Sequence, residues 1–507
     1  MWKQRQGTGA APLLSGLALL LGTGLAAAAA SEGGTSKPGS GPTHACRIEG
    51  MPNEMQCGSV MRPLDPAKPQ GTQIEIHYLV VPAMARNKQP EPVLMLAGGP
   101  GQSAISLAPR MLSVLKRLNN RRDLVFIDQR GTGKSAPLQC ADDSKLPVAE
   151  GLDPQAQERR LRDCQEALSR LPHGDLRMYT TTIAMQDFEA VREQLGAPQW
   201  NLYGASYGTR AALEYMRQFP SKVRRSLIDG VAPPDMVLPA SFSTDNQAAL
   251  DAAFSACEKE PACQARHPQL RAQWQALLAS VPRQITVRQP MTGKPEQFTL
   301  TRSQLLRAVR GPLYMPALAA ALPAAIGDAA EGRFDGLMGL TSTMSSNKST
   351  RLAMGMHFSV VCAEDLPRLP QATDKPGADY GNSDALLYSA ACKTWPRGEV
   401  PEAFYQVPKA AMPVLVLSGG ADPVTPPRHG ERVTKALGDK AQHIVVPEAG
   451  HGVATIGCMR DVMFRFFDAK TDAAALPQDA ACATRIPRPL AFVPVQDSSA
   501  TTTQVKP

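Results

Sequence analysis

A chain of 507 residues has room for about three domains, or for one core with a large insertion, and 43% hydrophobic beside 20% charged residues excludes a disordered or fibrous protein. The net charge of +8 comes from scattered Lys and Arg, and aromatics are only 5%. No basic, aromatic-studded stripe marks a nucleic-acid surface, so no nucleic-acid partner is expected.

In chain order, Met1-Trp2-Lys3-Gln4-Arg5 precedes an apolar, small-residue run from Leu13 to Ala30. This reads as a signal peptide over residues 1–30, cut after Ala28-Ala29-Ala30. Gly16, Gly22 and Gly24 interrupt the run and argue against an uncleaved anchor. No Cys follows the cut, so no lipid anchor or stable membrane association is expected, and the protein should be periplasmic or extracellular. Export suits the ten cysteines, an even number that an oxidising compartment can keep as disulfides. They fall in near pairs, Cys46 and Cys57, Cys140 and Cys164, Cys257 and Cys263, Cys362 and Cys392, Cys458 and Cys482. Pairing by proximity is the expectation, although spacing alone does not fix connectivity. The chain has neither CxxC nor HExxH, so neither a metal nor another cofactor is expected.

Residues 31 to about 45 are rich in Gly, Ser, Pro and Thr and read as a flexible lead-in. Short apolar runs then recur at Ile74 to Val81, Val93 to Ala97, Leu124 to Asp128, Trp200 to Tyr203, Ser226 to Asp229, Val414 to Ser418 and His443 to Val446. Such runs between helical stretches are what a parallel sheet covered on both faces requires. The class is therefore α/β, a mostly parallel sheet flanked by helices. Residues 31–232 form the first part of the core, 233–411 a mostly helical insertion, 412–488 the rest of the core, and 489–507 a flexible tail.

The chemistry begins at Gly204-Ala205-Ser206-Tyr207-Gly208, between a strand and a helical stretch. This GxSxG spacing is a nucleophile elbow: a sharp turn exposes the Ser206 hydroxyl, and the glycines relieve the crowding beside it. A serine needs a base to take its proton and a carboxylate to hold that base. Asp422 follows the strand Val414 to Ser418, and His451 follows the strand ending at Val446, in the chain order Ser, acid, His. His429 lies in a helical stretch and His443 starts its strand, so neither suits the base. Glu448 is an alternative acid, but it shares the loop of the His. For the oxyanion, the loop Ala97-Gly98-Gly99-Pro100-Gly101 follows a strand, and backbone N–H groups of Gly98, Gly99 and Tyr207 are the candidate donors.

Two other glycine patterns mislead. Gly99 to Ala104 matches GxGxxA, but Pro100 and export both weigh against a dinucleotide. Gly131-Thr132-Gly133-Lys134-Ser135 lacks the earlier P-loop glycine, whose place Asp128 holds. Asp128 and Arg130 are expected to tie loops together in a buried turn.

Taken together, the GGPG loop, Asp128 to Ser135, Gly204 to Gly208, Gly419 to Asp422 and Gly450 to Gly452 resemble the α/β-hydrolase branch of prolyl aminopeptidases and secreted tripeptidyl aminopeptidases. The region with Cys458, Leu476-Pro477 and Cys482 is similar to the tail of the tripeptidyl type. The resemblance implies Ser206 as nucleophile, His451 as base and then acid, Asp422 as its orienter, and a peptide substrate cut near its free N-terminus. It also implies acidic residues of the insertion reading the substrate's ammonium, for which Glu364 and Asp365 are the candidates. The prolyl enzymes usually carry His where this chain has Ala97, so a strict proline preference is not implied. A carboxylesterase on the same triad is the alternative, since acyl transfer to water is indifferent to the leaving group until the insertion selects it. The intact order of the three residues argues against a silent binding protein.

Overall fold

A computed structural model describes residues 41–142, 146–147, 150–151, 153–289, 292–345 and 351–492. The expected signal peptide, and the ends of the lead-in and tail, lie outside the described residues. From Pro42 onward the chain is one unit.

Eleven strands are named in chain order: β1 (His44–Cys46), β2 (Met55–Pro63), β3 (Gln73–Val81), β4 (Val93–Leu96), β5 (Leu124–Ile127), β6 (Trp200–Ala205), β7 (Val223–Asp229), β8 (Arg283–Arg288), β9 (Pro295–Leu300), β10 (Val414–Gly419) and β11 (Ala441–Val446). Nine of them build one sheet in the order β1-β2-β3-β5-β4-β6-β7-β10-β11. The first four of that order pair antiparallel and the rest run parallel. All seven expected strands are present. β1 and β2 lie outside the expected strands, because their residues are too polar to form an apolar run.

The central strands β4 and β5 are apolar throughout because both faces of the sheet are covered there. Leu94, Val125, Ile127, Val414 and Val416 point into one core, while Met95, Leu124, Phe126, Leu415 and Leu417 point into the other. This is period-two alternation with both sides buried.

Among the described residues none between β7 and β10 joins this sheet. That interval divides in two. Residues from Ala249 to Met338 build an apolar cluster of their own around Trp274, together with Tyr380; it includes the hairpin β8–β9, which also lies outside the expected strands. Met356, Phe358, Val360 and Val361 instead belong to the core under the main sheet. The five disulfides are Cys46–Cys57, Cys140–Cys164, Cys257–Cys263, Cys362–Cys392 and Cys458–Cys482. No helix among the described residues is long and apolar enough to cross a membrane.

Candidate active site

Ser206 stands between β6 and the helix α1 (Tyr207–Gln218) at φ 56°, ψ −126°, a conformation a non-glycine residue rarely takes. Its neighbours explain the motif. A Cβ on Gly204 would lie 2.5 Å from the Gly208 carbonyl oxygen, and one on Gly208 would lie 2.1 Å from that of Leu96. Backbone packs directly on backbone, so neither position accepts a side chain. The elbow is held by the Ser206 N–H donating to the Asp229 carbonyl at 2.9 Å. Thr209 Oγ1 also donates to the Ser206 carbonyl, at 2.6 Å. As the first residue of α1, Tyr207 has no intrahelical acceptor for its own N–H.

The glycine loop after β4 meets the elbow from the other side. A Cβ built on Gly98 would stand 3.1 Å from Ser206 Cβ and 3.6 Å from Oγ, so the structure brings Gly98 against the serine. Gly99 follows at φ 113°, a left-handed conformation that favours glycine.

Asp422 lies in the turn after β10. Its Oδ1 accepts from the N–H groups of Val424 and Thr425, both at 2.9 Å. Its Oδ2 accepts from Thr425 Oγ1 at 2.8 Å and from His451 Nδ1 at 2.8 Å. His451 Nε2, the nitrogen left over, has no hydrogen-bond partner among the described residues and is the one available to a serine. The acid and histidine loops interlock through glycine: a Cβ on Gly419 would sit 2.0 Å from the Gly450 carbonyl oxygen, and one on Gly420 2.1 Å from that of Pro447. Burial pulls the His451 pKa down, but the charge and hydrogen bond of Asp422, with Asp229 behind, more than offset it, and the net shift is upward. Burial likewise works against ionised Asp422, yet His451 and the backbone donors hold its carboxyl below the usual range.

Asp229, read from sequence only as a strand end, proves central. It ends β7, accepts from the Val453 and Ala454 N–H groups at 2.9 and 2.8 Å, and so fastens the histidine loop. Its own carbonyl holds Ser206, and a Cβ on the next residue, Gly230, would lie 3.2 Å from His451 Cε1. One short segment therefore touches both serine and histidine. Burial pushes the Asp229 carboxyl up to about 6. The signal that could have found it is its position, an acid at the carboxyl end of a parallel strand like Asp422. The region between β7 and β10 closes the site: the Tyr314 carbonyl accepts the His451 N–H at 3.0 Å, and its ring meets the imidazole edge-on at 5.3 Å.

The other candidates separate clearly. His429 is buried against Asp245 at 2.9 Å, and His443 bonds Ser418 at 2.9 Å. Glu448 is exposed and faces Arg488. The turn Asp128 to Ser135 is structural: Arg130 is buried on Asp187 at 2.7 Å, and Asp128 takes the Ser103 hydroxyl at 2.6 Å.

Glu364 and Asp365 need correction. Both are buried, at 1% and 0% exposure. Asp365 grips Arg210 of α1 through two bonds, 3.0 and 3.1 Å. Glu364 accepts from the Thr181 N–H at 2.7 Å and from Thr181 Oγ1 at 3.1 Å. They end a helix that is buried on all sides, so its carboxylates reach a guanidinium of the core rather than solvent or an incoming ammonium.

Comparison with known proteins bears on the fold and the family. The family model described as alpha/beta hydrolase fold matches residues 91–454. A tripeptidyl aminopeptidase of Streptomyces coelicolor is 32% identical over 196 residues, 36% of each chain. Serine protease Hip1 of Mycobacterium tuberculosis is 28% identical over 196 residues, 36% of this chain and 37% of its own. The chain thus matches little more than a third of either. A protein named carboxylesterase B, also from Mycobacterium tuberculosis, is 26% identical over 511 residues, covering 88% of this chain and 94% of its own.

Proposed function

The chain belongs to the α/β-hydrolase fold family, and we propose that it is an exported serine aminopeptidase acting through Ser206, His451 and Asp422. The observation that carries the reading is the 2.8 Å bond from His451 Nδ1 to Asp422, which leaves Nε2 as the nitrogen to serve the strained, glycine-flanked Ser206. In this reading His451 Nε2 takes the Ser206 proton as Oγ attacks a carbonyl carbon. Asp422 stabilises the imidazolium, and the N–H groups of Tyr207 and of Gly98 or Gly99 receive the oxyanion. The imidazolium then protonates the leaving amine, and water releases the acyl group by the reverse sequence. Export is supported by the leader sequence and by the five disulfides.

The peptidase class is supported by the higher-identity matches, tripeptidyl aminopeptidase and Hip1. With Glu364 and Asp365 paired, Asp384 is the better candidate for the substrate's ammonium. Its side chain is 20% exposed and loosely paired with Arg310 at 3.3 Å, and its charge acts on Tyr314, the ring against His451. The second reading is a carboxylesterase, favoured by the match that spans most of both chains. Unblocked tripeptidyl and aminoacyl arylamides, the same compounds with blocked N-termini, and short acyl esters separate the two. The aminopeptidase reading expects cleavage of the unblocked amides and none of the blocked ones; turnover of esters with no cleavage of any amide would replace it with the esterase.

A further inference from the structure

We propose that His357, outside every recognised motif, is a positioning residue that holds the oxyanion loop; this rests on the reading of that loop given above. A run with glycine at 98, 99 and 101 has little conformational preference of its own. Donors that act without reorganising must therefore be held from outside.

The holding comes from one helix, α2 (Met354–Glu364), whose residues from Gly355 to Glu364 are all buried. Just before its first turn, the Ala353 N–H donates to the Gly101 carbonyl at 2.8 Å, and Leu352 bridges to Gln102. One turn on, His357 Nδ1 lies 3.1 Å from the Pro100 carbonyl. That oxygen can only accept, so Nδ1 carries the proton. Nε2 then accepts from the Tyr388 hydroxyl at 2.9 Å. Burial holds the imidazole pKa down, which favours the neutral ring. Two successive carbonyls of the loop, Pro100 and Gly101, are thus pinned to α2, and their peptide planes are fixed with them.

The far end of α2 reaches the other oxyanion element. Glu364 and Asp365 grip Arg210 of α1. Thr181, bonded to Glu364, also meets the Tyr207 hydroxyl at 2.6 Å. The Cys362–Cys392 disulfide ties α2 to α3 (Ser383–Cys392), the helix that carries Tyr388. The helix α2 is a strut between the glycine loop and the nucleophile helix, and His357 is its contact with the loop.

The test compares His357→Phe, which keeps ring bulk and loses both bonds, His357→Gln, whose amide can still donate to Pro100, and Tyr388→Phe. Each is assayed for kcat, KM, melting temperature and the rate at which a fluorophosphonate labels Ser206. His357→Phe should lower kcat and the labelling rate about 10- to 100-fold, less than the loss of a whole donor, with KM within about threefold. His357→Gln should recover most of that loss, and Tyr388→Phe should fall between. Wild-type kcat and labelling rate in His357→Phe would overturn the proposal, as would Gln doing no better than Phe. If His357→Phe does not fold, a Tyr388→Phe enzyme with unchanged labelling overturns it instead. A wild-type protein that the reagent never labels removes the serine-hydrolase reading itself, and this inference with it.

Discussion

The loops at the carboxyl ends of the parallel strands and the long interval between β7 and β10 build the same site by different means. In the strand loops the contacts are backbone against backbone, and the chain answers with glycine: Gly204 and Gly208 at the elbow, Gly419 and Gly420 under the histidine loop. In the interval the contacts are made by side chains and single carbonyls: Tyr314 behind His451, His357 on Pro100, Glu364 and Asp365 on Arg210. Close backbone approach tolerates one residue type and leaves a motif. A side chain reaching across a core leaves none, because many residues at many spacings could make the reach.

The largest effect that would sharpen this contrast is on the chemistry. Ser206→Ala should remove fluorophosphonate labelling, and Asp422→Asn should lower kcat by about 10⁴-fold through the wrong histidine tautomer. Persistent labelling of Ser206→Ala would show that another residue is the nucleophile.

Two glycines differ in what a side chain would strike. A Cβ on Gly208 meets the Leu96 carbonyl of the sheet, whereas one on Gly450 meets the Tyr314 carbonyl at 2.4 Å. Gly208→Ala should destabilise the fold by about 1–3 kcal/mol or more, since two strand-bound segments must separate. Gly450→Ala should cost less in melting temperature but lower kcat, because Tyr314 moves and takes the His451 N–H with it. Equal melting temperatures for the two would break the distinction between regions.

The pH profile tests the charge balance. His451 must be neutral to act as base, so activity rises as it loses its proton, and Asp422 and Asp229 place that loss above the ordinary 6.5. The acid limb of kcat/KM should therefore lie above 6.5. In Asp422→Asn the residual activity should show the limb moved downward, since burial then acts with less opposition. A limb at or below 6.5 in the wild type would contradict the coupling.

The smallest expected effect falls on specificity. Asp384→Asn should raise KM about tenfold for free-amine peptides, the worth of one charge-assisted contact, and leave ester turnover untouched. Unchanged KM would remove Asp384 from the substrate's path.

Seven strands, and the candidate positions Ser206, Asp422 and His451 with the glycine loop, were legible in the amino-acid order, the candidates because each follows an apolar run beside glycines that sterics demand. The polar strands β1 and β2 and the hairpin β8–β9 were not, since half-exposed strands lack a continuous apolar run. Glu364 and Asp365 show the limit from the other side. As letters they are an acidic pair in an insertion, open to a substrate. Only the packing of a helix buried on every face turned them inward onto Arg210, and only the meeting of β7 with the loop after β11 set Asp229 behind His451. Local sterics are written residue by residue, whereas the partner of a buried charge is decided by which distant segments the core brings together.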